Sequence, residues 1–231
     1  MELTSRPAPT QRALRIAVRG ATLDADLSLP DAALGLVLFA HGSGSSRFSP
    51  RNRHVARQLN EAGLATVLAD LLTPGEEAVD AYSHELRFDI GLLAERLVDA
   101  TDWLGHQIQT RSLAIGLFGA STGAGAALVA AAQRAATIRA VVSRGGRPDL
   151  AQAALAEVRA PTLLIVGGDD AEVITLNRQA LAKLRARTQL VIVPGASHLF
   201  EEPGTLDRVA TLARDWFLRH LPAAPRHSPS H

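Results

Sequence analysis

One short stretch of the sequence carries the residue types that nucleophilic catalysis needs. Gly119-Ala-Ser-Thr-Gly123 matches the pattern G-x-S-x-G around Ser121. The apolar run 114–118 before it predicts a buried strand, and the small residues 124–133 after it predict a helix. Between a strand and a helix, this pattern puts the serine on a strained turn with its hydroxyl exposed. We therefore predict that Ser121 is a nucleophile, although the same string also occurs in ordinary turns.

Phosphate binding is a poorer interpretation of the same glycines. A Walker loop needs Gly-Lys followed by Ser or Thr, and Lys183 is the only lysine of the chain. A dinucleotide-binding fingerprint needs a third glycine at the position of Leu128. Neither pattern is present.

A serine nucleophile needs a base, and the base needs a carboxylate to orient it. His198 follows the last predicted strand in a loop that contains Pro and Gly, and we predict that it is the base. His41 also follows a strand, but it precedes a glycine-rich turn and we interpret it as structural. Asp169 and Asp170 both follow a predicted strand, and either could be the acid. The order serine, acid, histidine is typical of one of the three well-known triad architectures.

The composition excludes several classes of function. With a net charge of only +1, the chain lacks the excess of basic residues that is typical of nucleic-acid-binding proteins. The absence of cysteine excludes disulfides and thiolate metal sites. The first residues lack the apolar core of a signal peptide, and no apolar run approaches the length of a membrane span. We expect a cytoplasmic protein that uses no cofactor and no metal, acts on a small molecule, and binds neither nucleic acid nor membrane. The oligomeric state is left open.

The pattern of elements predicts an α/β protein with a mostly parallel sheet of about eight strands and helices on both faces. A hairpin over 13–19 and 23–29 precedes alternating strands and helices. We expect one domain over 1–231, with a loose lead-in at 1–11 and a disordered tail at 222–231. Helices are predicted at 50–62, 84–105, 124–133, 150–158, 173–184 and 205–220, and residues 72–80 are predicted to be a loop.

Over residues 12–220 the chain resembles the α/β-hydrolase superfamily, and within it the small dienelactone-hydrolase-like proteins. Some proteins of this kind carry the domain joined to a phosphoribosyltransferase domain, and we expect no such domain here. The segments that carry the resemblance are His41-Gly-Ser-Gly-Ser-Ser-Arg47, Ser49-Pro-Arg-Asn-Arg53, Leu86-Arg-Phe-Asp89, Gly119-Ala-Ser-Thr-Gly123, Ser143-Arg-Gly-Gly-Arg-Pro-Asp149 and Pro194-Gly-Ala-Ser-His-Leu-Phe200.

The resemblance implies ester hydrolysis through an acyl-enzyme. The founding dienelactone hydrolases carry cysteine where this chain has Ser121, which leaves dienelactone itself open as a substrate. In proteins of this kind the acid tends to stand three residues after the first glycine that follows the strand. Counted from Gly167, that position is Asp170, which favours Asp170 over Asp169.

The developing oxyanion also needs hydrogen-bond donors. One should be the backbone N–H of Thr122, directly after the nucleophile, and the other the backbone N–H of Ser43 in the loop after the strand 35–40. Arg144 follows another strand and could bind an anionic group of the substrate. Arg144 and Arg147 could equally pair with Asp149 or brace the loop.

Three functional hypotheses remain. The first is a serine hydrolase that cleaves small esters or related acyl compounds. The second is a lactonase, thioesterase or perhydrolase that uses the same residues. The third is an inactive hydrolase-like binding module. The roles of Arg47, Arg51 and Arg53 are left open at this point.

Overall fold

The computed structural model describes residues 7–221. Its eight strands are β1 (Thr10–Val18), β2 (Ala21–Leu29), β3 (Leu36–Ala40), β4 (Ala65–Ala69), β5 (Ile115–Ala120), β6 (Ile138–Arg144), β7 (Thr162–Gly167) and β8 (Thr188–Val193). They form one sheet in the order β1-β2-β4-β3-β5-β6-β7-β8. β1 pairs antiparallel with β2, and β2 with β4, whereas all the other neighbours are parallel. The predicted sheet is therefore confirmed.

Helices cover both faces of the sheet, as predicted. The α-helices are α1 (Pro50–Glu61), α2 (Pro74–Ser83), α3 (Ile90–His106), α4 (Thr122–Gln133), α5 (Ala171–Lys183) and α6 (Thr205–His220). Apolar residues of α3, α4 and α5 pack into the core on one face, and those of α1 and α6 pack into the core on the other. Two stretches of 3-10 helix lie at Leu86–Phe88 and Pro148–Glu157.

The prediction of a loop over 72–80 was wrong. Thr73 and Glu76 form a capping box, in which each side chain accepts a hydrogen bond from the backbone N–H of the other residue. Pro74 occupies the first helical position, where its missing N–H costs nothing. Thr-Pro-Gly-Glu is a helix-start signal that was present in the sequence, so the segment is helix α2.

The predicted helix over 84–105 begins later than expected. His84 has φ +58° and ends α2, and α3 begins only after Asp89, whose side chain accepts the N–H of Leu92. At the amino terminus, β1 begins at Thr10, so residues 10 and 11 belong to a strand and not to the lead-in. The predicted tail at 222–231 lies outside the described residues. Between residues 7 and 221 no helix is both long and apolar enough to span a membrane.

The parallel strands carry the candidate site residues to one edge of the sheet. Residues beyond the carboxyl ends of parallel strands lie at the same edge. His41 follows β3, Ser121 follows β5, Arg144 ends β6, Asp170 follows β7, and His198 follows β8. The topology therefore brings together residues that are far apart in the sequence.

Candidate active site

Ser121 lies on a strained turn between β5 and α4. Its φ of +50° and ψ of −123° are unusual for a residue with a side chain. The flanking glycines are needed because of close contacts. A Cβ at Gly119 would lie 2.4 Å from the Cα of Ala124, and a Cβ at Gly123 would lie 2.4 Å from two carbonyl oxygens at the end of β3. The predicted strand, turn and helix around the serine are all present.

Asp170 and His198 are in direct contact. His198 Nδ1 lies 2.6 Å from Asp170 Oδ2, and the aspartate side chain is largely shielded from solvent, with 14% of it exposed. Asp170 also caps α5 by accepting the N–H of Val173. Asp169 is exposed, and its backbone N–H donates to Ala196. Of the two candidate acids, Asp170 is therefore the one that can orient the imidazole.

Contacts of Ser197, Phe200 and Gly145 hold the loop that carries His198. Ser197 N–H donates to the carboxylate of Glu202 at 3.0 Å, and hydrogen bonds from Ser197 hold the pKa of that carboxyl below its usual range. Phe200 adopts φ +57° with its ring buried. The loop lies against Gly145, where an added Cβ would come within 3.6 Å of His198 Cε1. Together these contacts fix the imidazole beside the end of β6.

The predicted contact between nucleophile and base is not formed. In the described part of the chain, no hydrogen bond joins Ser121 Oγ to His198 or to any other histidine. The two residues are linked through β6, because Ser121 N–H donates to the carbonyl of Arg144 and His198 lies beside the next residue, Gly145. Catalytic hydrogen bonds often tighten only when substrate binds, so this contact stays a prediction.

The two residues that carry the predicted oxyanion donors lie close to Ser121, and a hydrogen bond joins one of them to the side chain of the other. The loop after β3 passes so close to the elbow that a Cβ at Gly42 would lie 3.1 Å from the Cβ of Ser121. The backbone N–H of Ser43 points toward the elbow, where it donates to Oγ1 of Thr122 at 2.9 Å. Sequence reasoning considered only the backbone groups of these residues and missed the hydroxyl of Thr122.

His41 is held by a hydrogen bond at each ring nitrogen. Nδ1 lies 3.0 Å from the carbonyl of Gly42 and Nε2 lies 3.0 Å from the N–H of Leu71, which must be the donor. Nδ1 therefore carries the proton, and Nε2 is the acceptor. Burial lowers the pKa of His41. Through these two bonds the imidazole joins the loop after β3 to the segment after β4. This agrees with the interpretation of His41 as a structural residue.

Acid should destabilise the protein through His41. Because its folded-state pKa lies below the unfolded value of 6.5, the unfolded chain binds the proton first and stability falls as the pH drops below that value. The loss should approach about 1.4 kcal/mol per pH unit. Urea denaturation should be followed from about pH 7.5 to 5 for wild type and His41→Gln, whose amide oxygen can accept the Leu71 N–H without titrating. A stability difference between the two that does not change with pH would contradict this account.

Arg144 and Arg147 have different environments. Arg147 donates to both carboxylate oxygens of Asp149, at 2.9 and 2.8 Å. Arg144 is only 8% exposed, and its Nε and Nη1 have no hydrogen-bond partner within residues 7–221. Burial, together with the nearby charge of Arg51, lowers the pKa of Arg144 to about 10, so the side chain remains a cation at neutral pH. The predicted pairing with Asp149 therefore holds for Arg147 and not for Arg144.

The other arginines near this edge have carboxylate partners. Arg47 pairs with Asp70, Arg53 pairs with Asp26 at 3.1 Å, and Arg51 pairs with Glu201 at 3.0 Å. These pairs brace the loop after β3 and the start of α1. In the described part of the chain, Arg51 Nε is nevertheless buried without a hydrogen-bond partner.

Comparison with known proteins identifies the family. The model of the dienelactone hydrolase family matches residues 23–221. The chain belongs to this family. The crystal structure of a dienelactone hydrolase from Anabaena variabilis is 60% identical and superimposes with a TM-score of 0.92, over 93% of this chain and 100% of that one. Est1E from Butyrivibrio proteoclasticus is 18% identical with a TM-score of 0.74, over 90% of this chain and 98% of that one, which shows a shared fold alone.

The curated relatives are longer proteins. Two from strains of Mycobacterium tuberculosis, both named as phosphoribosyl transferases, are 61% identical over 195 residues. The match covers 84% of this chain but only 43% of each relative. The chain therefore spans less than half the length of the curated relatives that it matches.

This member of the dienelactone hydrolase family has a cavity of about 310 Å³ beside the loop after β3. Residues 41–46 form one wall, and α2 and its neighbours contribute Leu72, Glu77, Asp80, Arg87 and Leu93. Sequence reasoning missed this cavity because it placed a loop where α2 stands. Between residues 7 and 221 no group of three or more His, Cys, Asp or Glu side chains could hold a metal ion.

Proposed function

We propose that the protein is a serine hydrolase that cleaves small esters or related acyl compounds without a cofactor. Ser121 is the nucleophile, His198 the base and Asp170 the acid. The observation that carries this proposal is the 2.6 Å contact between His198 Nδ1 and Asp170 Oδ2 at the edge of the sheet where the elbow presents Ser121. Membership of the dienelactone hydrolase family supports it.

The proposed reaction has two stages. Ser121 Oγ attacks the carbonyl carbon and its proton passes to His198 Nε2, while the carbonyl electrons move onto the oxygen. As the intermediate collapses, the bond to the leaving oxygen breaks, and that oxygen takes the proton from His198. Water then attacks the acyl-enzyme with the same base, releasing the acid and restoring Ser121. Asp170 holds Nδ1–H, so Nε2 is free to accept a proton.

Labelling and turnover together test this proposal. A fluorophosphonate probe should label Ser121, and labelling should disappear after Ser121→Ala. A panel of 4-nitrophenyl esters, lactones, thioesters, and an ester with added hydrogen peroxide separates esterase, lactonase, thioesterase and perhydrolase activities. Absence of labelling together with absence of turnover on the panel would favour an inactive binding module.

The name of the mycobacterial relatives does not change the proposal. It describes proteins of which more than half has no counterpart in this chain. The contact between His198 and Asp170 is one of the two that acyl transfer by a serine requires. We therefore assign the hydrolase chemistry to the segment that is shared.

We further propose that Arg144 favours substrates with an anionic group. A buried guanidinium without a carboxylate is costly to keep, unless an anion neutralises it at some stage of the reaction. Among residues 7–221 Arg144 is such a group, and its carbonyl oxygen accepts the N–H of the nucleophile Ser121. α1 has Arg51 and no acidic residue in its first turn, and it adds the positive end of a helix dipole to this region.

Removal of the Arg144 charge should change the preference for anionic over neutral esters more than it changes turnover of neutral esters. In Arg144→Met, the kcat/KM for 4-nitrophenyl hydrogen glutarate should fall by about 10 to 100-fold relative to that for neutral 4-nitrophenyl pentanoate, because one charge-assisted contact is lost. Arg147→Met is the matched control, since its partner Asp149 already neutralises it. Equal losses on both esters, or a shift of the same size in the control, would rule out this role.

A further inference from the structure

The oxyanion region contains a hydroxyl group that the two-donor scheme does not use. Thr122 is 4% exposed, and its Oγ1 accepts the backbone N–H of Ser43 at 2.9 Å across 79 residues of sequence. The N–H that should stabilise an oxyanion is therefore already donated to a side chain. A backbone N–H has one proton, so a substrate oxygen could use this donor only by displacing the threonine hydroxyl or by sharing the proton with it.

The proton of that hydroxyl is not used elsewhere. A threonine hydroxyl can accept one hydrogen bond and donate another at the same time. Within residues 7–221, Thr122 Oγ1 accepts from Ser43 and donates to no protein group. The backbone N–H of Thr122 is also available, because the first residue of a helix has no partner for it within the helix. Thr122 thus carries two donors next to Ser121.

We propose that the hydroxyl of Thr122 donates to the substrate oxyanion, together with the Thr122 N–H, and that Ser43 acts through this hydroxyl. The proposal rests on the serine hydrolase assignment above. Attack by Ser121 Oγ on the carbonyl carbon places negative charge on the carbonyl oxygen. The hydroxyl of Thr122 stabilises that charge by a hydrogen bond and transfers no proton.

The Ser43 contact makes the hydroxyl a better donor. Hydrogen bonds in a chain polarise one another, so an N–H that donates into Oγ1 strengthens the O–H beyond it. The contact also restricts rotation of the Thr122 side chain about χ1, because Oγ1 must face Ser43. Loss of one preorganised oxyanion donor usually costs about 100 to 1,000-fold in kcat.

Two substitutions separate the hydroxyl from the shape of the side chain. Thr122→Val keeps the size and removes the hydroxyl, and it should lower kcat for a neutral 4-nitrophenyl ester by about 100 to 1,000-fold with little change in KM. Thr122→Ser keeps the hydroxyl and should stay within about tenfold of wild type. Thr110→Val is a matched control. Thr110 is buried and its hydroxyl donates to Leu104, but it lies at the opposite edge of the sheet, so kcat should not change.

Binding of a transition-state analogue shows whether the loss arises at the oxyanion. An alkyl trifluoromethyl ketone forms a tetrahedral adduct with the serine, and its Ki should rise in Thr122→Val by the same factor as kcat/KM falls. Equal Ki values in wild type and Thr122→Val would overturn the proposal, even if the activity fell. A gain in kcat would also overturn it, because the hydroxyl would then be blocking the Ser43 N–H. Failure of the hydrolase assignment is distinguishable from failure of the Thr122 proposal, because in that case the wild type itself would turn over no ester.

Discussion

Ser121→Ala should lose roughly a million-fold in kcat on any ester that the wild type cleaves, while the fold stays intact. The size of the effect follows from the proposed triad, in which His198 and Asp170 form no acyl-enzyme once the Ser121 hydroxyl is removed. The residue stands on a strained turn, and alanine can take the same φ at a similar cost. We therefore expect unchanged thermal stability and no fluorophosphonate labelling.

Ser112→Ala is a suitable control for this experiment. Ser112 is exposed and precedes β5, at the edge of the sheet opposite to the elbow. Its replacement should alter neither turnover nor labelling. A Ser121→Ala protein that retained roughly a tenth of wild-type turnover would show that another group attacks the substrate, because a triad without its nucleophile cannot do so.

The parts of the fold that were predicted correctly are those with strong local signals. β3, β5 and β7 are continuous apolar runs buried on both faces, and such runs are recognisable without knowledge of the neighbouring strands. α1 has Ser49 as its N-cap and Pro50 at its first position, and Gly63 with φ +88° follows its end. Because these signals lie within a few residues of one another, they are readable from the sequence.

The missed features depend on contacts between distant segments. Nothing near Arg144 in the sequence shows that it would have no carboxylate partner among residues 7–221 while Arg147 pairs with Asp149. The contact from Ser43 to Thr122 is likewise formed only when the loop after β3 reaches the elbow. The helix α2 is different, because Thr73 and Glu76 gave a local signal for it that was not used.

Asp170→Asn should lower kcat on the order of 10⁴-fold. Asp170 Oδ2 accepts a hydrogen bond from His198 Nδ1 at 2.6 Å, which leaves Nε2 without a proton and able to accept one. An asparagine can present its NH₂ group instead, and it then stabilises the tautomer that has the proton on Nε2. That imidazole cannot take the proton of Ser121.

The same substitution should leave the protein folded. Asp170 caps α5, and asparagine is as good an N-cap residue as aspartate, whereas alanine would cost about 1 kcal/mol. Asp169→Asn provides the matched control, because it removes the same charge at an exposed position one residue away from Asp170. We expect Asp169→Asn to keep most of its activity. If it instead lost more turnover than Asp170→Asn, Asp169 would have to move to His198 in the working enzyme, and the contact described here would not be the catalytic one.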